Sequence, residues 1–267
     1  MRSRKAFLLP LLLSACAGGG AAPTAADLLH ARGWGADGRG AVTSLVFVLH
    51  DDLPGSADAA AGFAETLGQG AAGVRAVALL RPGHGDAFGN RSPGILEAGH
   101  GDGYSPERLD AVARTIADTR QRFPAAQVLL VGEGGGAAIA AGIAGTRPAL
   151  IDGLVLAGCP CMLPEWRSYM ARQQPAAAAA AWTAKVASFD PLMTVGGVSP
   201  SIKAALLVGA DDRIAPPRFS RAYAEALALR GIATDYRVLP GRGHGILGDA
   251  ETLAATRRVL SGIGRRS

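Results

Sequence analysis

The chain has 267 residues, 49% of them hydrophobic and 18% charged. That length carries one large domain with a sizeable core, and the balance excludes a disordered chain. The net charge of +5 includes Arg2, Arg4 and Lys5 of a leader segment, so the remainder is too weakly basic to mark a nucleic-acid partner.

The leader reads as a basic stretch (Arg2, Arg4, Lys5) followed by a short apolar run, Ala6 to Leu13. The run is too short to span a bilayer. Leu13-Ser14-Ala15-Cys16 ends it and resembles a bacterial lipobox, in which the cysteine is lipidated and becomes the mature N-terminus. We therefore expect a signal peptide over 1–15 and Cys16 as the lipidation site. A lipidated, flexible tether would cover 16–41, with the domain outside the cytoplasm and held to a membrane of the bacterial envelope by acyl chains. The sequence leaves open whether Ala25 to Trp34 is ordered.

From residue 42 onward, apolar runs alternate with helical patterns. Val42 to Leu49 reads as a buried strand, with the turn His50-Asp51-Asp52-Leu53-Pro54-Gly55 behind it. Ser56 to Leu67 reads as an Ala-rich helix and Val74 to Leu80 as the next strand. Arg81-Pro82-Gly83-His84-Gly85-Asp86 and a long loop to Tyr104 follow. Ser105-Pro106 has the signature of a helix N-cap and first turn, and Leu109, Val112, Ala113 and Ile116 mark a buried face at helical spacing. Gln127 to Val131 is a third apolar run. It ends in Gly132-Glu133-Gly134-Gly135-Gly136, after which Ala137 to Ala141 reads as a closely packed helix. Asp152 to Ala157 is another strand, ending near Cys159 and Cys161. A bridge across the single residue Pro160 looks strained, so two free thiols, one or both buried, are expected. Residues 161–197 break the alternation and read as a helical cap insertion. Lys203 to Val208, a helix over Pro217 to Arg230, a strand over Asp235 to Leu239 and a helix over Asp249 to Ile263 complete the chain. Such alternation predicts an α/β protein with a mainly parallel sheet, helices on both faces and functional groups at the carboxyl ends of the strands.

The Gly-rich turn at 132–136 lacks both a following Lys-Ser/Thr and the Gly-x-Gly-x-x-Gly spacing with an acidic partner, which argues against a nucleotide site. No cofactor is called for. Strand, tight turn and helix instead match the Gly-x-Ser-x-Gly elbow, with Gly132 and Gly136 in place and Gly134 where the serine belongs. Asp212 in Gly209-Ala210-Asp211-Asp212 and His244 in Gly243-His244-Gly245 follow in chain order. On these residues, and on Arg81-Pro82-Gly83-His84-Gly85, residues 42–263 resemble the α/β-hydrolase superfamily of serine esterases, lipases and peptidases. The resemblance implies the α/β-hydrolase fold, a small-molecule ester or amide as ligand, Asp212 as the acid, His244 as the base and Gly134 at the nucleophile position. It also implies an oxyanion hole from the amides of Asp52 and Gly135.

The departures are concentrated at this site. Gly134 carries no oxygen to form an acyl-enzyme. Glu133 stands where related elbows often have histidine, and Asp51 where glycine usually follows the histidine. Carboxylates at 51 and 133 oppose a developing oxyanion if they point inward. Cys159 is a remote substitute nucleophile. Ordinary serine-hydrolase turnover is therefore expected to be absent or very weak. Three classes stay open: an impaired ester or amide hydrolase, a non-catalytic ligand-binding or scaffold lipoprotein, and a metal-dependent hydrolase using His84 and His100 of the repeated Gly-His-Gly-Asp turns. The bland reading of those turns, polar loops without metal, is preferred.

Overall fold

A computed structural model describes residues 27–263. The leader, Cys16 and the start of the tether lie outside the described residues. Seven strands form one sheet in the order β1-β3-β2-β4-β5-β6-β7. They are β1 (Ala31–Gly35), β2 (Ser44–Leu49), β3 (Val74–Leu79), β4 (Gln127–Glu133), β5 (Gly153–Ala157), β6 (Lys203–Gly209) and β7 (Thr234–Leu239). All neighbours pair in parallel except β1, which runs antiparallel to β3 along the edge.

Strand β1 corrects the expected extent of the tether, because Ala31–Gly35 belongs to the sheet rather than to a flexible linker. Its sequence, Ala-Arg-Gly-Trp-Gly, has no apolar alternation. It is held by main-chain pairing to β3 at the sheet edge and by Trp34 packing against the core, neither of which requires an apolar run.

The interior strands alternate their side chains between two cores. Leu45, Phe47 and Leu49 of β2 pack with Leu109, Val112 and Ile116 of α2 (Pro106–Arg122), the small residues of α3 (Gly135–Thr146), and Phe219 and Tyr223 of α7 (Pro217–Leu229). Val46 and Val48 face the other way, toward Phe63 and Leu67 of α1 (Ser56–Gln69) and Val259 of α8 (Ala250–Gly262). Each such fully buried side chain contributes roughly 1.5–3 kcal/mol through the water it excludes. A sheet sandwiched this way has both faces covered, which leaves its carboxyl ends as the place where loops can converge.

The expected cap lies between β5 and β6 as α4 (Leu163–Gln173), α5 (Ala176–Thr183) and α6 (Pro191–Thr194). Asp190 caps α6 by accepting from Leu192 N, and the same carboxylate accepts from Leu163 N, tying both ends of the insertion together. Just before it, Cys159 and Cys161 form a disulfide, which overturns the expectation of free thiols. The chain turns through Gly158, at φ +55°, and Pro160, bringing the two Cα atoms to 5.1 Å, within the usual bridging range. Both cysteines are buried, as expected, and Cys159 is thereby withdrawn as a nucleophile.

Candidate active site

Strands β2 and β4 are neighbours with Leu49 opposite Gly132. Two residues further along each chain, Asp51 therefore arrives level with Gly134. At the turn Gly134 has φ +51° and ψ −115°, a conformation that a side-chain-bearing residue adopts only under strain. Gly132 and Gly136 have a different reason to be glycine. A Cβ on Gly136 would stand 2.3 Å from Leu49 O, and one on Gly132 would stand 2.4 Å from Gly136 O. The elbow is thus wedged against the end of β2.

Asp212 and His244, the acid and base that the resemblance implies, are in contact. Asp212 Oδ2 lies 2.7 Å from His244 Nδ1, while Asp212 Oδ1 accepts from Ile214 N and Ala215 N at 2.9 and 2.8 Å. Those two amides fix the carboxylate, and the carboxylate fixes the imidazole. Asp211 is exposed and takes no part.

The other face of the imidazole holds what the sequence did not place. His244 Nε2 lies 3.1 Å from Asp51 Oδ2, and Asp51 Oδ1 accepts from Gly135 N at 2.8 Å. A Cβ built on Gly134 would lie 1.9 Å from Asp51 Oδ1. The Asp51 carboxylate therefore occupies the volume that a side chain at 134 would take, and it engages both His244 and the elbow amide of Gly135. Its backbone is held as well: Asp51 O receives the His50 Nδ1 proton at 2.7 Å, and Ser56 Oγ also donates to it at 2.7 Å.

This arrangement changes the electrostatics of His244. Burial opposes charging the ring, but hydrogen bonds to Asp212 and Asp51, with their negative charge, outweigh it and push the pKa up to about 10. At neutral pH the ring is an imidazolium between two carboxylates. It donates from both nitrogens and has no lone pair with which to accept a proton.

Glu133 does not oppose an oxyanion. Its Oε1 accepts from Ile246 N and Leu247 N at 2.8 and 2.7 Å, pinning the loop that carries His244. Burial, reinforced by the charge of Asp51, raises its pKa despite those two amides.

Asp52 lines the same cavity as Gly135, but its carboxylate is engaged elsewhere. It pairs with Arg81 and accepts from Tyr104 Oη at 2.7 Å. Arg81 and Tyr104 are essentially buried. The sequence pattern alone gives neither residue a role. Arg81 also serves as a hub, since its amide donates to His50 Nε2 at 3.1 Å and its guanidinium lies 3.1 Å from His84 Nε2. Burial, helped by the Arg81 charge, lowers His50 to about 3 and His84 to about 4, so both rings are neutral.

That use of His84, together with the edge-on packing of His100 against Trp182, puts the two histidines in separate environments. Among the described residues no three His, Cys, Asp or Glu side chains gather to hold a metal ion. In the first of the repeated turns Asp86 accepts from Phe88 N and Asn90 N within its own loop.

The cavity above Gly134 has a volume of about 230 Å³. Asp51, His244 and Gly135 form its floor, and Leu53, Trp166, Met170, Trp182 and Ile214 supply apolar walls. Trp166 is anchored by its indole N–H on Ile214 O at 2.8 Å and meets Trp182 edge-on at 5.3 Å. The cap therefore closes the site with aromatic surface. A larger hollow of about 520 Å³ beside Arg114, Arg120 and Arg147 shares no residue with it.

Sheet order, elbow, acid and histidine together define the α/β-hydrolase fold. Solved structures agree. Esterase PE8 is similar over 89% of this chain and 100% of its own, with TM-score 0.63 and 19% identity. A monoacylglycerol lipase of Paleococcus ferrophilus matches over 88% and 99%, with TM-score 0.59 and 20% identity. The Pyrococcus furiosus esterase Pf2001 matches over 83% and 84%, with TM-score 0.61 and 14% identity. At these identities the likeness is one of fold. No protein-family model matches the sequence, and no curated protein matches it as a relative.

Proposed function

We propose that this chain is a lipid-anchored protein of the bacterial envelope in which the serine chemistry of the α/β-hydrolase fold is disabled and the substrate pocket is kept. The pocket takes a small molecule of the ester or amide class. The observation that carries this reading is the Asp51 carboxylate in the nucleophile's volume, bonded to His244 Nε2 and to Gly135 N. With Gly134 there is no oxygen to attack a carbonyl, and with Asp51 on the elbow amide there is no free donor there for an oxyanion. The second expected donor, the amide of Asp52, would act alone. The basic leader and Leu13-Ser14-Ala15-Cys16 support the anchor through Cys16. Among the described residues no helix is long and apolar enough to cross a membrane.

The test pairs activity with binding. The wild-type protein should neither label with a fluorophosphonate nor turn over short activated esters above background. The same esters or their amides should bind and quench Trp166 and Trp182 emission. Covalent labelling, or turnover of these esters above background that His244→Ala abolishes, would overturn the reading.

A further inference from the structure

The N-terminal segment joins the domain at the end of the sheet that carries the cavity. Strand β1 is antiparallel to β3, with Ala31 opposite Leu79, so its first residues lie at the carboxyl end of β3. A parallel edge strand would have started at the far end. His30 is fixed at this junction: its N–H donates to Ser92 Oγ at 2.9 Å, and its carbonyl accepts from Leu80 N at 3.0 Å. Ser92 Oγ in turn donates to Leu80 O at 2.6 Å. The loop between β3 and α2 is thereby fastened to the start of β1. Asp27 and Leu29 line one hollow with Ile95, and the Arg32 guanidinium lies over the Phe88 ring, 5.2 Å from its centre.

That loop holds apolar side chains in water. Phe88 is 72% exposed, Ile95 77% and Leu96 54%, and every residue from Pro93 to Ala98 is exposed. Leu53, also exposed, stands at the cavity nearby. Among the described residues the other large exposed apolar side chains, Met193, Leu229 and Val238, lie one each on α6, α7 and β7. Single exposed apolar residues are ordinary, but several on one projecting loop mark an interaction surface. The tip is a built turn. Gly85 pairs with Arg91, Asp86 accepts from Phe88 N and Asn90 N, and Arg91 Nη1 donates to Gly83 O at 2.6 Å. Phe88 is therefore held out at the apex.

We propose that this loop docks on a lipid bilayer, with Phe88, Ile95 and Leu96 entering the boundary between headgroups and acyl chains. The proposal rests on the lipid anchor at Cys16. Asp27 is eleven residues beyond Cys16, and an extended chain spans at most about 3.6 Å per residue, so the junction stays within about 40 Å of the anchored residue. Three side chains bind a bilayer weakly on their own. The tether makes the contact intramolecular, which raises the effective concentration of lipid at the loop and leaves a weak apolar contact sufficient. The charges around the loop are mixed, with Arg32, Arg91 and Arg108 against Asp58, Asp86 and Glu97. The attraction is therefore apolar and needs no anionic lipid. Docked in this way, the domain holds the cavity, whose wall includes Ala98 and Gly99 of the same loop, next to the lipid surface.

The experiment uses the full chain, processed and reconstituted on phosphatidylcholine vesicles. Phe88→Cys, Ile95→Cys and, as a control, Leu229→Cys each carry a polarity-sensitive fluorophore. With Cys159 and Cys161 bridged and Cys16 acylated, the introduced thiol is the one that labels. Leu229 is 90% exposed at the end of α7, shortly before β7 begins, and so lies toward the amino ends of the strands. The probes at 88 and 95 should shift to the blue on vesicles and be quenched by lipids brominated on their acyl chains, at high salt as at low. The probe at 229 should do neither. Silent probes at 88 and 95, a shift that needs anionic lipid or disappears in salt, or an equal shift at 229 would overturn the docking. The mass of the N-terminal peptide decides the anchor separately. Acylated Cys16 with silent probes sinks the docking alone, whereas unmodified Cys16 sinks the anchor and the docking with it.

Discussion

At the scale of single residues the site reads as one side chain moved between adjacent strands. Just past the paired ends of β2 and β4, Gly134 lies against the Asp51 carboxylate, which fills the volume a side chain at 134 would take. Each departure was visible in the sequence, as a missing serine and as an extra carboxylate after His50. Their relation was not, because it depends on β2 lying beside β4 in a register that brings the two positions level. The exchange has an electrostatic consequence. His244 should titrate near pH 10, and Asp51→Asn, which keeps the volume but removes one negative partner, should lower that midpoint. NMR of the imidazole protons reads it directly. A wild-type midpoint close to the ordinary histidine value of 6.5 would mean that the ring is not clamped between two carboxylates.

At the scale of elements, what was legible followed burial. The interior strands and the helices against them carry unbroken apolar runs or helical spacing, and they fold close to where the pattern puts them. Strand β1 was not legible because an exposed edge strand needs no apolar face. The disulfide was not legible because its feasibility depends on the turn through Gly158 and Pro160 rather than on spacing. Glu133 shows a residue whose position was noticed and whose use was not. Its side chain leaves the site and holds the amides of Ile246 and Leu247, so the elbow and the histidine loop are one mechanical unit. Glu133→Ala should leave two N–H groups without their partner, at a cost of roughly 1–3 kcal/mol for each that stays buried. Hydrogen exchange at Ile246 and Leu247 should then quicken well ahead of exchange in β4. Unchanged protection would show that the loop is held by other contacts.

At the scale of the whole molecule, two groups of histidines limit stability from opposite sides. His50 and His84 are held neutral, with pKa values of about 3 and about 4 against an ordinary 6.5. Their contribution is full above 6.5 and is lost as pH falls toward the folded values, because the unfolded chain takes up protons first. His244 has the opposite sign. Its folded value of about 10 lies above the unfolded one, so its contribution is full below 6.5 and is lost as pH rises toward 10. Thermal melts across this range should give a maximum near neutrality, with a steeper fall on the acid side in wild type than in His50→Gln. A profile that keeps rising toward pH 10 would contradict the charged state of His244.

The α/β-hydrolase fold brings Asp212, His244 and the turn at Gly134 together, and Asp51 fills the volume beside Gly134. The most direct measurement is therefore hydrolysis of a short activated ester by wild type, Gly134→Ser and the double variant Asp51→Gly/Gly134→Ser. Because a Cβ at 134 would stand 1.9 Å from Asp51 Oδ1, the single variant should remain nearly inactive. Clearing Asp51 frees the elbow amide and His244 Nε2 together, and the double variant should gain on the order of 100-fold or more and label at residue 134 with a fluorophosphonate. If Gly134→Ser alone is as active as the double variant, or if the double variant folds and gains nothing, Asp51 is not what stands in the nucleophile's place.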